Sequence, residues 1–190
     1  MRIVIFSLSL IMAQTLFGVV LEVKENCSWK GAWEEVKILG RGGFGDVVLV
    51  KNKQSEQLLA LKKQDKLSFL PESKVYIDLM KKDFTHIPKV LALWTCKEEG
   101  FILMEIKKSC DFKELQAIRS FQKKGAEALI SLNKAGWVKN DLNSGNFLCD
   151  DSKVYLIDFL FAQPLEEDKN KRARQLAIQS SGFKTTMGYL

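Results

Sequence analysis

Three polar side chains in the last third of the chain have types and spacing suited to binding a metal and moving a proton. Asp141 and Asn146 lie on a predicted loop that leads into a short apolar strand at residues 147–148. Asp158 follows a second predicted strand at residues 154–157, and a hairpin of the two strands would bring Asp158 beside Asn146. Carboxylate and amide oxygens are the ligands that Mg²⁺ prefers, and the remaining carboxylate could accept a proton. The pattern therefore predicts a magnesium site beside a general base.

A glycine-rich turn earlier in the chain could hold phosphate groups. It joins predicted strands at residues 36–39 and 48–50, so it is a β-hairpin rather than the strand-to-helix turn of a dinucleotide fold. Because glycine has no Cβ, backbone N–H groups in such a turn can approach phosphate oxygens closely. An ordinary flexible surface turn is the alternative. The candidate phosphate-binding residues are Gly40, Gly42, Gly43, Gly45 and Val47.

A lysine and a glutamate follow this hairpin in an order that suggests an ion pair. Lys62 ends a predicted strand at residues 58–62, in which Ala60 and Lys62 lie on the same face. Glu72 lies in the first turn of a predicted helix at residues 71–82, which opens with a proline. We expect Glu72 to pair with Lys62 and direct it toward a phosphate. A glutamate in the first turn of a helix is also a common helix-dipole feature, which is the alternative.

The remaining pattern supplies further strands and helices. Strands are predicted at residues 90–94 and 101–106, joined by a polar turn. The spacing of apolar residues predicts a helix over 118–135, with Gly136 as its C-cap. A charged, helix-like segment follows at residues 166–178.

Taken in order, these features resemble the protein-kinase-like superfamily over about residues 34–178. The resemblance implies an α+β fold in two lobes. The N-terminal lobe would contain a five-stranded antiparallel sheet plus one helix, and the C-terminal lobe would be helical and reduced. It also implies ATP and Mg²⁺ as cofactors in the cleft between the lobes. Ala60 and Met104 would line the nucleotide pocket, and the backbone of Glu105 and Lys107 would face the adenine edge.

The same resemblance implies a role for each polar candidate. Asp141 would accept the proton of the acceptor hydroxyl, while Asn146 and Asp158 would hold Mg²⁺. Lys62, directed by Glu72, would contact the α- and β-phosphates. Catalysis of this kind depends on positioning and charge neutralisation rather than on a covalent intermediate.

Several residues depart from the usual kinase pattern. Lys139 and Asn140 stand where His-Arg usually precedes the catalytic Asp, Asn143 replaces a lysine, and Leu160 replaces the glycine of Asp-Phe-Gly. This pattern is closer to atypical and small-molecule kinases. We expect an active, minimal kinase, with a protein Ser/Thr hydroxyl slightly favoured over a small molecule as acceptor. A nucleotide-binding pseudokinase and a reduced gene product with a marginal fold are the alternatives.

The first 21 residues differ in composition from the rest. Between Arg2 and Glu22 the chain contains no charged residue. A short basic start followed by an apolar stretch indicates a secretory signal peptide or, if uncleaved, a membrane anchor. We therefore expect a secreted or secretory-lumen protein that meets a membrane only through residues 1–21.

The rest of the chain is expected to form one domain. Residues 22–33 would be a linker and residues 34–190 the kinase-like domain, with lobes at about 34–106 and 107–190. The net charge of +6 favours acidic partners, although a solvated basic surface is the commoner explanation. Since a kinase must also bind polyphosphate, the charge does not imply nucleic acid, and we expect no nucleic-acid partner.

Four cysteines are spread along the chain with no Cys-x-x-Cys motif, so they do not predict a metal site. An even number permits disulfides in an exported protein. Three of the four fall in or beside predicted strands, where a buried free thiol is the commoner explanation. The four residues are Cys27, Cys96, Cys110 and Cys149.

Overall fold

A computed structural model describes residues 23–110 and 115–188, and its main feature is a large sheet in the first half of the chain. Its strands are β1 (Lys24–Glu25), β2 (Trp33–Gly42), β3 (Gly45–Asn52), β4 (Leu58–Asp65), β5 (Val90–Cys96) and β6 (Glu99–Met104). Their order in the sheet is β1-β5-β6-β4-β3-β2. The five longer strands are antiparallel, which confirms the α+β class and the predicted five-stranded sheet, and the short β1 pairs in parallel with β5.

Helix α1 (Lys66–Lys81) packs against one face of this sheet. It begins directly after β4 because the Asp65 carboxylate accepts hydrogen bonds from the N–H and hydroxyl of Ser68, at 2.9 and 2.6 Å. The prediction that Pro71 opens the helix is wrong: it lies inside, where its missing N–H frees one backbone carbonyl. Glu72 consequently lies beyond the first turn and is fully buried.

The period-two alternation of the strands separates two apolar clusters on the two faces of the sheet. The inner face, against α1, includes Ala60, Ile102 and Met104. The outer face carries its own cluster. Its buried members are Trp29, Val48, Val50, Leu59, Leu61, Trp94, Phe101 and Leu103.

The segment expected to be a linker covers part of that outer face. After β1, a single 3-10 turn (Trp29–Gly31) places the Trp29 ring 6.2 Å from Trp94 and 5.3 Å from Phe101, centroid to centroid. Trp29 is only 5% exposed. Residues 24–31 therefore belong to the folded domain, because an apolar sheet face must be covered by something.

All four cysteines form disulfides, so the expectation of buried free thiols is wrong. The parallel pairing of β1 with β5 brings the Cα atoms of Cys27 and Cys96 to 4.9 Å. The pairing of two short strands later in the chain brings Cys110 and Cys149 to 4.8 Å. Neither pairing is legible from the spacing of cysteines along the chain.

The second half of the chain is built from two helices and short strands. The elements are β7 (Lys108–Ser109), α2 (Leu115–Lys134), β8 (Trp137–Val138), β9 (Phe147–Cys149), β10 (Val154–Leu156), β11 (Gln163–Pro164) and α3 (Lys169–Gly188). The strands form a three-stranded sheet, β10-β9-β7, and a two-stranded sheet, β11-β8. In the described residues, no helix is long and apolar enough to cross a bilayer, and residues 1–21 lie outside them.

Helix α3 is longer than the predicted segment at residues 166–178. Asp168 caps its start by accepting from the N–H groups of Asn170 and Lys171. The added turns pack on the rest of the domain: the Phe183 ring lies 5.9 Å from that of Phe147. Because the sequence of this tail is mostly polar, it does not indicate the few packing contacts that stabilise the helix.

Candidate active site

The β9–β10 hairpin brings the three polar candidates together. Leu156 pairs with Phe147, and the N–H of Ile157 donates to the Asn146 carbonyl at 3.1 Å, so Asp158 follows directly beside Asn146. A 3-10 turn (Ser144–Asn146) links this hairpin to the loop that carries Asp141. The geometry thus places these acidic and amide groups at one end of a short, buried hairpin.

Two amides orient the Asp141 carboxylate. Asn146 Nδ2 donates to Oδ2 at 2.7 Å, and Asn143 Nδ2 donates to Oδ1 at 2.8 Å. Asn143, which stands where kinases usually have a lysine, therefore acts here as a neutral donor to the carboxylate. With one amide on each oxygen, the carboxylate is held in a single orientation while its remaining lone pairs stay available.

Lys62, Glu72 and Asp158 form a chain of charges on the inner side of the sheet. Lys62 Nζ lies 2.7 Å from Glu72 Oε2 and 3.2 Å from Asp158 Oδ1. Both Lys62 and Glu72 are buried, whereas the Asp158 side chain is 30% exposed. Lys62 consequently links Glu72 of α1 to Asp158, the candidate metal ligand.

Glu72 is held by more than this lysine. Gln64 Nε2 donates to the same carboxylate oxygen at 2.8 Å, and the N–H of Phe159 donates to the other at 3.2 Å. Burial raises the pKa of the neighbouring Tyr76 well above its ordinary value, with Glu72 and Asp158 adding to the effect. The buried carboxylate is thus satisfied by one cation and two neutral donors, as a buried charge requires.

Lys139 lies under the site. It is 1% exposed, its ammonium donates to the backbone carbonyl of Asp158, and it lies 5.3 Å from the ring centroid of Phe159. Burial lowers the pKa of Lys139 to about 8, although the carboxylates of Asp158, Asp141 and Glu72 pull in the opposite direction. Asp158 adopts the left-handed region at φ 59°, and this ammonium holds its carbonyl there.

The glycine-rich hairpin ends in a tight turn at residues 43–44. Gly45 has φ 148°, and a Cβ there would lie 2.2 Å from the Lys63 carbonyl oxygen, so only glycine fits. Gly40 and Gly43 have open space where a Cβ would be, and a Cβ on Gly42 would be 3.5 Å from the Gly45 carbonyl. At Gly40 and Gly43, the backbone of this hairpin is therefore open to a ligand.

Two residues connect the hairpin to the rest of the cleft. Val47 pairs directly with Lys62 across β3 and β4, which puts both on the inner face. At the tip, the Phe44 ring packs edge-on against that of Phe161, with centroids 5.2 Å apart. The hairpin thus reaches across the cleft to the segment that follows Asp158.

The candidates for the adenine end lie at the other side of the inner face. Ala60 pairs with Met104 across β4 and β6, and both are buried. The N–H of Glu105 donates to the Lys89 carbonyl at 2.9 Å.

The side chain of Lys107 fixes the segment after β6. Its Nζ lies 3.3 Å from Glu105 Oε1 and 3.5 Å from Asp150 Oδ2, and 4.4 Å from the Tyr155 ring centroid. The contact with Tyr155, and the carboxylate of Glu105, raise the pKa of Lys107. Hydrogen bonds from Ser152 and Tyr155 hold the pKa of Asp150 well below its usual range. This network ties the segment to the β9–β10 hairpin.

Two open cavities flank the loop that carries Asp141, and they share Asn140. The first, of about 610 Å³, lies between this loop and residues 160–163 and is lined in part by Asp141 itself. The second, of about 660 Å³, lies between the loop and α3. A hydroxyl-bearing molecule in the first cavity would meet the oriented Asp141 carboxylate.

The donor set fits Mg²⁺. In residues 23–110 and 115–188, no group of three or more acidic, histidine or cysteine side chains could hold a metal ion alone. Asp158 offers a partly exposed carboxylate, and Asn146 offers an amide oxygen, since its nitrogen donates to Asp141. Such a pair suits an ion that shares its coordination with phosphate oxygens and water, as Mg²⁺ does.

The sequence patterns missed three residues that shape the site. Gln64 shares Glu72 with Lys62, and its position two residues after Lys62 on the same face is the signal that could have indicated it. Asn143 and Lys139 were seen only as departures from a pattern. Their contacts with Asp141 and Asp158 depend on how the loop folds back.

Comparison with known proteins agrees with this geometry. A family model described as protein kinase domain matches residues 33–189. Rho-associated protein kinase 1 of Homo sapiens is 27% identical over 142 residues, which are 67% of this chain and 10% of that protein. The probable serine/threonine-protein kinase mkcB of Dictyostelium discoideum is 27% identical over 154 residues, 74% of this chain and 21% of that protein.

A third relative is similar over a comparable length. The serine/threonine-protein kinase ppk35 of Schizosaccharomyces pombe is 26% identical over 159 residues, 75% of this chain and 26% of that protein. The chain therefore spans about a quarter or less of the length of these relatives.

Proposed function

Because this chain belongs to the protein kinase family, we propose that it transfers the γ-phosphoryl group of Mg-ATP to a hydroxyl group, with a protein serine or threonine as the favoured acceptor. The observation that carries the proposal is the convergence of Lys62, Glu72, Asp141, Asn146 and Asp158 on one cleft. Two of the relatives are named as serine/threonine-protein kinases, which supports the choice of acceptor.

Each residue has a defined task in this proposal. Asp141, oriented by two amides, accepts the proton as the acceptor oxygen bonds to the γ-phosphorus and the bond to the β-phosphate oxygen breaks, leaving ADP. Lys62 neutralises charge on the α- and β-phosphates. Asn146 and Asp158 would hold Mg²⁺, which would supply positive charge to offset that of the phosphates.

A second candidate function is a nucleotide-binding pseudokinase that acts through protein contacts. The observation that favours it is the contact between Lys62 and Asp158. The candidate metal ligand Asp158 is thereby already paired with a cation of the protein itself. The departures at Lys139, Asn140 and Leu160 favour it as well. In this case ATP binds but no phosphoryl group is transferred.

The test uses the full chain with labelled ATP, Mg²⁺ and a library of serine- and threonine-containing peptides. We expect labelled peptide or autophosphorylation in the wild type, its loss in Asp141→Asn, and its retention in the matched control Asp151→Asn, an exposed acid in the β9–β10 turn. Labelling that persists in Asp141→Asn would contradict the proposed role of that carboxylate.

A binding measurement separates the two candidate functions. Thermal stabilisation by Mg-ATP that disappears in Lys62→Met, without any transfer, would establish the pseudokinase. Absence of both signals in folded protein would overturn both functions.

We also propose that the protein folds in an oxidising compartment, such as a secretory lumen or the cell exterior. The two disulfides and the uncharged stretch before Glu22 support this proposal. Protein isolated from its native cells under thiol-trapping conditions should contain no alkylated cysteine and should begin after the apolar stretch if that stretch is cleaved. Four trapped thiols would contradict it.

A further inference from the structure

Lys139 is a buried cation that the proposed chemistry does not use. A lysine with 1% exposure needs compensating contacts, because removing an ammonium from water is costly. Its direct partner is a neutral backbone carbonyl, that of Asp158, and the aromatic ring of Phe159 lies beside it. Since a neutral donor could make the same hydrogen bond, the positive charge needs its own explanation.

The surroundings of Lys139 are strongly acidic. The carboxylates of Glu72, Asp141 and Asp158 all act on this ammonium, and Lys62 is the other cation among them. Lys62 contacts both Glu72 and Asp158, whereas the Asp141 carboxylate accepts hydrogen bonds from two neutral amides. With Lys62 alone, three negative groups would share one positive charge.

The backbone of Lys139 is fixed from the other side. Its N–H donates to Gln179 Oε1 on α3 at 3.0 Å, and Gln179 is itself 5% exposed. Gln179 and Asn133 of α2 exchange amide hydrogen bonds at 3.0 and 3.3 Å. The backbone of Lys139 is therefore held by side chains of two helices, and its ammonium is held at the other end by the Asp158 carbonyl, so its charge is fixed relative to Asp158.

We propose that Lys139 is a positioning residue whose fixed charge offsets the repulsion between the Asp141 and Asp158 carboxylates, while its hydrogen bond keeps Asp158 in the left-handed conformation. This inference rests on the proposed function, since it assigns Lys139 to the same metal-binding site. With Lys139 in place, the site is ordered before a divalent cation binds, and the positive charge of Lys139 lowers the affinity for that cation.

The proposal has a signature that a purely structural lysine would not give. Removing the charge makes the site more negative, so a divalent cation binds more tightly. We expect the loss of one nearby unit charge to raise the affinity for that cation by about three- to tenfold. Phosphoryl transfer changes in the opposite direction, because Asp158 is no longer held. A lysine that only supports the fold would weaken both.

The first measurement is Mn²⁺ binding to the full chain without nucleotide, followed by electron paramagnetic resonance. Lys139→Gln keeps a hydrogen-bond donor but removes the charge, Lys139→Met removes both, and Lys139→Arg keeps the charge. The matched control is Lys184→Gln, which alters an exposed lysine on α3. We expect tighter Mn²⁺ binding for Gln and Met, and wild-type binding for Arg and the control. Equal or weaker binding in folded Gln and Met variants, or no Mn²⁺ binding in any variant, would overturn the proposal.

The second measurement is the rate of phosphoryl transfer for the same proteins. We expect kcat to fall about tenfold or more for Lys139→Met and to be rescued in part by Lys139→Arg. An unchanged kcat in Lys139→Met would contradict the positioning role. If the wild type transfers no phosphoryl group, the proposed function fails, while the Mn²⁺ titration still decides whether Lys139 offsets charge at the site.

Discussion

The two faces of the large sheet come from the same strands but contain different kinds of side chain. On the outer face, Trp29, Trp94 and Phe101 pack with aliphatic residues, and the Cys27–Cys96 disulfide holds their cover in place. The inner face adds the buried polar residues Lys62 and Gln64 to its apolar cluster. The outer face therefore mainly stabilises the fold, whereas the inner face contains buried polar and charged groups that belong to the candidate site. The contrast predicts that substitutions on the two faces separate stability from activity.

The largest effect is expected on the outer face. Trp29→Ala should lower the free energy of unfolding by about 3–5 kcal/mol, because it removes a buried aromatic ring that contacts two others. Urea denaturation measures this change, and phosphoryl transfer per folded molecule should stay at the wild-type rate. Leu67→Ala, at a residue that is 84% exposed, is the matched control with little expected change. Loss of transfer in fully folded Trp29→Ala protein would remove the distinction between the faces.

On the inner face, Lys62→Met should reduce kcat/KM for ATP by about 10²–10³-fold, because a preorganised charge at the phosphates is lost. Its neighbour supplies the control: Lys63 pairs with Glu35 at 2.5 Å and lies 5.6 Å from the Trp29 ring centroid, on the outer side. Lys63→Met should change kcat/KM less than about twofold and stability by at most about 1 kcal/mol. Steady-state kinetics with circular dichroism as a check of folding decide the matter. Equal effects of the two substitutions would contradict the assignment of the two faces.

The disulfides sharpen the same comparison. Replacing either pair with serines should cost about 2–4 kcal/mol of stability, since each bridge closes a long loop. Of the two pairs, only Cys110–Cys149 includes a residue of β9, the strand that follows Asn146, so only its removal should also raise KM for ATP. Thermal unfolding and kinetics of the two double variants test this. A higher KM after loss of Cys27–Cys96 would show that the outer face also shapes the nucleotide site.

The smallest predicted effect is that of Gln64→Leu. Glu72 keeps Lys62 and the Phe159 N–H as donors, so we expect only a three- to tenfold decrease in kcat/KM for ATP, which is about the net free energy of one ordinary hydrogen bond. The stability should change little, because the substitution also removes the buried Gln64 Oε1, which has no hydrogen-bond partner among the described residues. A loss as large as that of Lys62→Met would mean that Gln64 contacts the nucleotide itself.

Much of the site could be predicted because its spacing is tied to local elements. The alternation of β4 puts Ala60 and Lys62 on one face, and a short hairpin necessarily returns Asp158 to Asn146. The predicted start of α1 is wrong because two local signals compete. Pro71 suits a first turn, but the Asp65–Ser68 cap starts the helix at an earlier position in the chain. The capping hydrogen bonds prevailed, and the proline was accommodated inside the helix.

By itself, the sequence determined the order of strands and helices, the glycine-rich hairpin and the set of groups proposed to bind Mg-ATP. Each of these follows from periodicity or from contacts between residues close in the chain. Only the tertiary structure decided the disulfide pairs, the burial of Trp29, and the contacts of Lys139 with Asp158 and of Gln179 with Lys139. The disulfides and hydrogen bonds among them join residues 19 to 69 positions apart, as the separations within Lys139–Asp158 and Cys27–Cys96 show. The physical reason is that their partners meet only after sheets and helices have packed, and neither period nor spacing records which distant surfaces will touch.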